Sequence, residues 1–433
     1  MLEPQSTALF LVLMLVFAAL IWWMVAARQV VFRVLAACLA FVPAMLFGVA
    51  AVNKYYDYYQ TWGSVAADLS DQGANQSPVL PTIDGSTRQK FSKILQSLVS
   101  SAQAQQQGYT VTLTIYGKLS HIHRTVLVYL PPQYFRRAYA GYRFPAVELY
   151  PGYPGEPADW INIMGVTTAL QALVSDHLAR PAVLVMPDTE GAQHRNLECL
   201  NLPHSFQDAT YLARDVPQFL ARTIRVQPPG PGWGEAGYSE GGFCAANLAL
   251  RYPQDFGYAG VLSGYFAPLN VLVGSTYTAP FPGQPGLLTQ NTPLQELPRI
   301  PLVEHVPQFW IGAGSADARD VAAAKEFQQL LLPRQPRLQV KLWHGGGHNG
   351  DTWRGLLTPM LEWMTGNLAK ARLRVSRRPG RPGAWPGTGR PRRRSAACSP
   401  ASRSHAPRRG TACTRGRSRP PAARRRSART RPA

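Results

Sequence analysis

The sequence predicts an α/β protein: a mostly parallel central sheet with helices on both faces, preceded by two transmembrane helices. Three observations predict it. Two long apolar runs without charge open the chain, at residues 7–27 and 34–52. Two alternating stretches rich in β-branched residues follow, "YTVTLTIYG" and "HRTVLVYLP". From Phe144 to Leu368 short apolar strand patterns alternate with helical ones, the order that builds a parallel sheet covered on both faces.

Each apolar run at the start is long enough to cross a bilayer. Pro43, inside the second, is tolerable in a membrane helix. Arg28 and Arg33 lie between the runs, and no Lys or Arg precedes the first. The positive-inside bias puts the short turn in the cytoplasm and everything after Val52 outside. A cleaved signal peptide is the competing reading, but there is no basic segment in front and the run is too long. Residues 1–53 therefore read as two spans and their turn. Residues 54–108 read as an extracytoplasmic tether, with the aromatics of "KYYDYYQTW" at headgroup level and one short amphipathic helix within 88–101.

Residues 109–370 read as the α/β domain. "FPAVELYPGYPG" is a buried strand ending in a Gly/Pro loop, and residues 158–177 have helical spacing. "PAVLVMPD" is the next strand, 208–223 a helix, "GWGEAG" a short strand and 239–252 a helix. "GYAGVLSG" and "PQFWIGAG" are strands, 317–332 a helix, "RLQVKLW" the last strand and 352–368 the last helix. Residues 266–305, rich in Pro and Gly, interrupt the alternation as a lid-like insertion.

The formal charge of +21 does not belong to this domain. Residues 371–433 hold 20 of the 45 basic residues and none of the 24 acidic ones, so residues 1–370 carry 25 basic against 24 acidic. The folded part is near neutral, which argues against a nucleic-acid partner. The tail reads as disordered and Arg/Pro-rich, with no apolar period to build a core. Its composition is also what a GC-rich coding sequence gives when read out of frame. Of five cysteines, only Cys199 and Cys244 fall in the domain, either paired in an oxidising compartment or as two separate buried thiols. Their spacing suggests no metal site.

"GYSEG", residues 237–241, fits G-x-S-x-G between a short strand and the apolar helix "FCAANLAL". A nucleophilic serine must project from a tight turn, with small neighbours to let strand and helix pass. Ser239 is therefore the candidate nucleophile. An acid and then a base should follow it in the chain. Asp317 lies just after a strand, and His348 lies in the glycine-rich loop after the last one, both beyond the C-terminal ends of strands. Asp317 is assigned to orient His348, with Asp320 as substitute; His344 is the substitute base. Asp317 also suits a helix cap. The Glu240 amide and an amide of the loop 151–155, Tyr153 before Gly152, are assigned to the oxyanion. Trp160 is read as a substrate contact, or as the residue that this rigid turn packs.

Several stretches in order, "VLVYLPPQY", "LYPGYPGEPADW", "VLVMPDTEG", "YLARDVPQFL", "GYSEGGFCAANLALRYPQDFGYAGVLSGYF" and "GGGHNGDTW", resemble the esterase branch of the α/β-hydrolases. That branch includes esterase D, feruloyl esterase domains and the secreted mycolyltransferases of the antigen 85 type. The resemblance spans about residues 109–368 and implies an α/β-hydrolase fold with a Ser-Asp-His triad. Ser239 and His348 match well, and Asp317 less closely. Where many members carry His-Gly after the third strand, this chain has Pro151-Gly152. The two leading spans, "LEC" and "GGFCA" are similar to membrane-anchored actinobacterial versions, and this implies a Cys199–Cys244 bridge. The expected function is a membrane-anchored extracytoplasmic serine esterase acting on a small-molecule, lipid or sugar ester, with no metal and no cofactor. Two alternatives stand beside it: an acyltransferase acting on cell-envelope sugars or lipids, and a catalytically inactive hydrolase fold used as a binding module.

Overall fold

A computed structural model describes residues 2–56, 58–69, 83–84, 95–191, 196–269 and 279–368. The expected tail, the middle of the lid-like insertion and much of the tether lie outside these residues.

Two apolar helices, α1 (Thr7–Ala26) and α2 (Val30–Tyr56), pack side by side. Both are long and apolar enough to cross a membrane, and α1 has no buried residue. Phe10 and Phe47 meet edge to face, and the Lys54 ammonium lies over the Phe10 ring. A short helix, α3 (Trp62–Leu69), follows.

Among the described residues the sheet has nine strands: β1 (Ile83–Asp84), β2 (Tyr109–Tyr116), β3 (His123–Leu130), β4 (Ala146–Tyr150), β5 (Val183–Pro187), β6 (Gly230–Tyr238), β7 (Phe256–Leu262), β8 (Gln308–Gly314) and β9 (Val340–Trp343). Their spatial order is β1-β2-β3-β5-β4-β6-β7-β8-β9. β3 is antiparallel to β2 and to β5, and every other neighbour is parallel. Both faces are covered. This is why "VLVMP" and "AVELY" are buried at every position instead of alternating. On one face Val111, Val128, Tyr150 and Trp233 pack against Tyr211, Leu212, Leu220, Cys244 and Leu248. On the other, Leu127, Val147, Leu149 and Tyr238 meet Leu170, Leu173, Trp353, Leu357 and Met360.

Two predicted helices are subdivided. Residues 158–177 form α4 (Asp159–Asn162) and α5 (Val166–Ser175), separated by Gly165 at φ 64°. That left-handed residue ends one helical path and starts another. Residues 208–223 contain a π-helical turn, Tyr211–Asp215, before α6 (Val216–Thr223). Pro217 supplies no N–H to the turn before it, so regular α bonding fails there. Three longer helices complete the layers, α7 (Glu240–Arg251), α8 (Ala318–Leu331) and α9 (Gly350–Asn367).

One polar feature sits inside this core. Glu148 of β4 and Glu235 of β6 are partners in register, and both are fully buried. The Tyr150 hydroxyl donates to Glu235 Oε2 at 3.2 Å. Among the described residues neither carboxyl has a basic partner. Burial pushes both well above the usual carboxylate range, and the Glu148 charge adds to the rise at Glu235. A carboxyl raised by folding binds its proton more tightly in the folded state. Its contribution to stability is therefore full below the unfolded pKa and is lost as pH rises through the folded one. Glu148→Gln keeps the shape without the proton, so the unfolding temperature of the variant falls less steeply than that of the wild type as pH rises above the ordinary carboxylate range. An identical slope in thermal scans contradicts this account.

Candidate active site

β6 runs to Tyr238 and α7 begins at Glu240, so Ser239 alone makes the turn. It takes φ 55° and ψ −119°, a conformation that costs of order 1–3 kcal/mol for a residue with a Cβ. Neighbouring backbone holds it there. The Ser239 N–H donates to the Leu262 carbonyl at 2.9 Å, and its carbonyl accepts from Gly242 at 3.0 Å. The side chain therefore stands at the N-terminus of α7, where the first amides have no acceptor within the helix and the dipole favours negative charge.

His348 lies in the loop between β9 and α9. That loop is fastened to the one after β8. The amides of Ser315 and Gly346 both donate to the Trp343 carbonyl, Ala316 donates to the Gly346 carbonyl at 2.9 Å, and Gly345 donates to Ser315 Oγ at 2.8 Å. The Asn349 side chain caps α9 by accepting from the Thr352 amide at 3.1 Å. His348 Nε2 is thereby placed 2.9 Å from Ser239 Oγ, and Nδ1 2.7 Å from Asp320 Oδ2. With the Nδ1 proton donated to the carboxylate, Nε2 is left to accept from the serine hydroxyl. His344 is exposed at the end of β9.

The acid differs from the expectation. Asp317 is the N-cap of α8, and its Oδ1 accepts from the amides of Arg319 and Asp320 at 2.9 and 3.0 Å. A capping side chain bends back onto its own helix. Asp320, at the third helical position, projects from the first turn and meets the imidazole. The carboxylate on His348 is therefore Asp320, and Asp317 serves the helix. Asp317, Asp320 and His348 offer ligand atoms within 4.8 Å of one another, a grouping that the cap and the acid–imidazole pair already explain.

Trp160 also differs. It is fully buried, so it is not open to substrate. Its ring meets Tyr238 edge to face at 5.2 Å, Tyr238 stacks on Trp353 at 4.6 Å, and Trp353 meets His348 edge to face at 5.3 Å. This aromatic pile supports the histidine from below.

The loop after β4 passes close to the nucleophile: a Cβ added at Gly152 would lie 3.2 Å from Ser239 Cβ. The loop that holds the expected oxyanion amide of Tyr153 therefore lies beside the Ser239 turn, which leads into Glu240 at the first position of α7.

Cys199 and Cys244 form a disulfide that ties the loop after β5 to α7. The loop carries a polar wall that the sequence reading missed. Glu198 accepts from the Leu269 amide at 2.8 Å and the Tyr265 hydroxyl at 3.2 Å. Burial pushes Glu198 up to about 7. The Glu240 side chain is raised well above its ordinary value, first by burial and then by the charges of Glu198 and Glu190. Glu198 also lines a cavity of about 490 Å³ with Asn196, Leu200, His204 and Pro280. A larger groove, about 890 Å³, lies at the other end of the sheet beside Gln308 and Trp363. Glu198 had one sequence signal, its place beside Cys199; nothing marked it as a group facing Glu240.

The family described as "Putative esterase" matches residues 121–364, more than half of the chain. The chain belongs to this family of esterases. An uncharacterized protein of Corynebacterium glutamicum is 24% identical over 340 residues, 77% of this chain and 76% of that protein. The diacylglycerol acyltransferase/mycolyltransferase Ag85C of Mycobacterium avium is 27% identical over 164 residues, 34% of this chain and 46% of its own. The match thus spans less than half the length of that relative. Among solved structures, a ferulic acid esterase superposes with a TM-score of 0.50 at 20% identity, covering 61% of this chain and 99% of that one. This likeness shows that the esterase shares the α/β-hydrolase fold.

Proposed function

We propose that this esterase is a membrane-anchored extracytoplasmic serine hydrolase that cleaves carboxylic esters through Ser239, His348 and Asp320. The observation that carries the reading is the unbroken chain from Ser239 Oγ to His348 Nε2 and from Nδ1 to Asp320 Oδ2, at 2.9 and 2.7 Å. Ser239 Oγ attacks the ester carbonyl while His348 takes its proton. Asp320 stabilises the imidazolium that forms. The amides of Glu240 and Tyr153 donate to the oxyanion, a contribution that is usually the largest single one in such sites. His348 then protonates the leaving alcohol, and water releases the acid by the same route. The in-register contacts favour catalysis over an inactive binding module. The anchoring rests on α1 and α2, and the side of the membrane on Arg28 and Arg33 between them.

A fluorophosphonate probe added to the full chain is expected to label one residue, found by peptide mapping at Ser239. Labelling at a different residue, or none of the folded protein, overturns the assignment. Acyl transfer to an alcohol is the second reading, favoured by the similarity to a mycolyltransferase. It uses the same residues, with a hydroxyl in place of water.

A further inference from the structure

The segment leaving α2 does not behave as the free tether expected of it. At 1.5 Å per residue the 27 residues of α2 extend about 40 Å, beyond a hydrocarbon core of about 30 Å. Its apolar residues end at Val52, and Asn53, Lys54, Tyr55 and Tyr56 complete its last turn. The chain then stays level with the helix ends. The Trp62 amide donates to Glu3 Oε2 at 3.1 Å, and its indole N–H donates to the Leu2 carbonyl. Residue 62 is thereby returned to the start of α1.

Within this stretch lies Tyr58, half-buried. Burial raises its hydroxyl pKa, and the charge of Asp159 and the neighbouring Tyr56 add to the rise. Burial raises the Tyr238 hydroxyl pKa, and the charges of Asp159 and Tyr58 add to the rise. α3 packs against α4, which begins with Asp159. Tyr238 directly precedes Ser239. Tyr58 lies two positions after Tyr56, a reach of at most about 7 Å. α4 also carries Trp160, whose ring meets Tyr238, so the chain leaving α2 packs on the helix that supports the residue before the nucleophile.

We propose that this juxtamembrane segment holds the catalytic site at the bilayer surface and that the site takes its ester from the leaflet instead of from bulk water. The proposal rests on reading α1 and α2 as spans and on the esterase reading above. It narrows the substrate class to esters that partition into a membrane.

The test uses the full chain in vesicles of phosphatidylcholine and phosphatidylglycerol, supplied with p-nitrophenyl acetate from water or p-nitrophenyl palmitate dissolved in the bilayer. A variant carries a flexible 12-residue Gly/Ser insert after Tyr56, together with Trp62→Ala to free the link to Leu2. Such an insert spans roughly 20 Å on average. The expected result is at least a tenfold loss on the palmitate with acetate turnover within twofold. Equal retention of both activities overturns the proposal. Equal loss of both overturns it too, because the segment then serves the fold and not delivery. Wild-type turnover of acetate without palmitate also counts against it. Failure of the esterase reading is recognised separately, as wild-type protein that neither takes the fluorophosphonate at Ser239 nor cleaves acetate.

Discussion

Asp320→Asn lowers kcat for ester hydrolysis by about 10⁴-fold, while Asp317→Asn leaves it within a few-fold. The magnitude for Asp320 is that of removing the orienting acid from a Ser-His-Asp triad of intact geometry. Asparagine keeps a side-chain oxygen near His348 Nδ1 but brings no charge to stabilise the imidazolium, and its amide can hold the wrong tautomer. Asp317 makes no contact with His348 in hydrogen-bonding range; its oxygen is occupied by the amides of Arg319 and Asp320. Asparagine is as good an N-cap as aspartate, so even the helix loses little; Asp317→Ala costs about 1 kcal/mol in stability without a matching loss in kcat. Steady-state kinetics on the three variants, with thermal unfolding beside them, separate the roles. A larger kcat defect in Asp317→Asn than in Asp320→Asn reverses the assignment.

The same pair shows where sequence reasoning reached its limit. The pairing of Ser239 with His348 was legible because each depends on local backbone: a turn flanked by glycines, and a glycine-rich loop after a strand. The acid was not, because Asp317 and Asp320 sit three residues apart at one helix start and therefore share a face. Which one caps and which one reaches outward depends on the position of His348, brought 28 residues back along the chain by β9. Trp160 failed for a similar reason. Its neighbourhood suggested an exposed site, yet the ring fills the space beneath Tyr238. The strand order was readable from alternation and apolar runs. The break at Gly165 was not, since the apolar spacing continues across it and one glycine is tolerated in many helices. Glu190 and Glu198 follow β5 while Glu240 opens α7, and they become a group only when the Cys199–Cys244 bridge and the sheet bring those two segments together.

Gly241→Ala prevents stable folding or lowers stability by at least about 3 kcal/mol, the upper range for overpacking a tight interior. Gly141→Ala, where an added Cβ meets nothing within 4 Å, stays within about 1 kcal/mol of wild type. The contrast follows from what the new methyl group would strike. At Gly241 it would overlap the Tyr150 carbonyl and come within 2.5 Å of the Pro151 carbonyl oxygen. Both are backbone atoms, so no rotamer change relieves the clash. α7 would have to move away from the end of β4, and the Ser239 turn would have to open with it. Gly237 is under the same constraint from the other side, because its added Cβ would overlap the Gly241 carbonyl. The two glycines thus permit the close approach of strand and helix that fixes Ser239 at φ 55° and brings the loop 151–155 alongside its Oγ. Circular dichroism and thermal unfolding of the two variants check the prediction. A Gly241→Ala protein as stable as wild type would mean that strand and helix do not approach as closely as this geometry requires, and the placement of the oxyanion amides would fall with it.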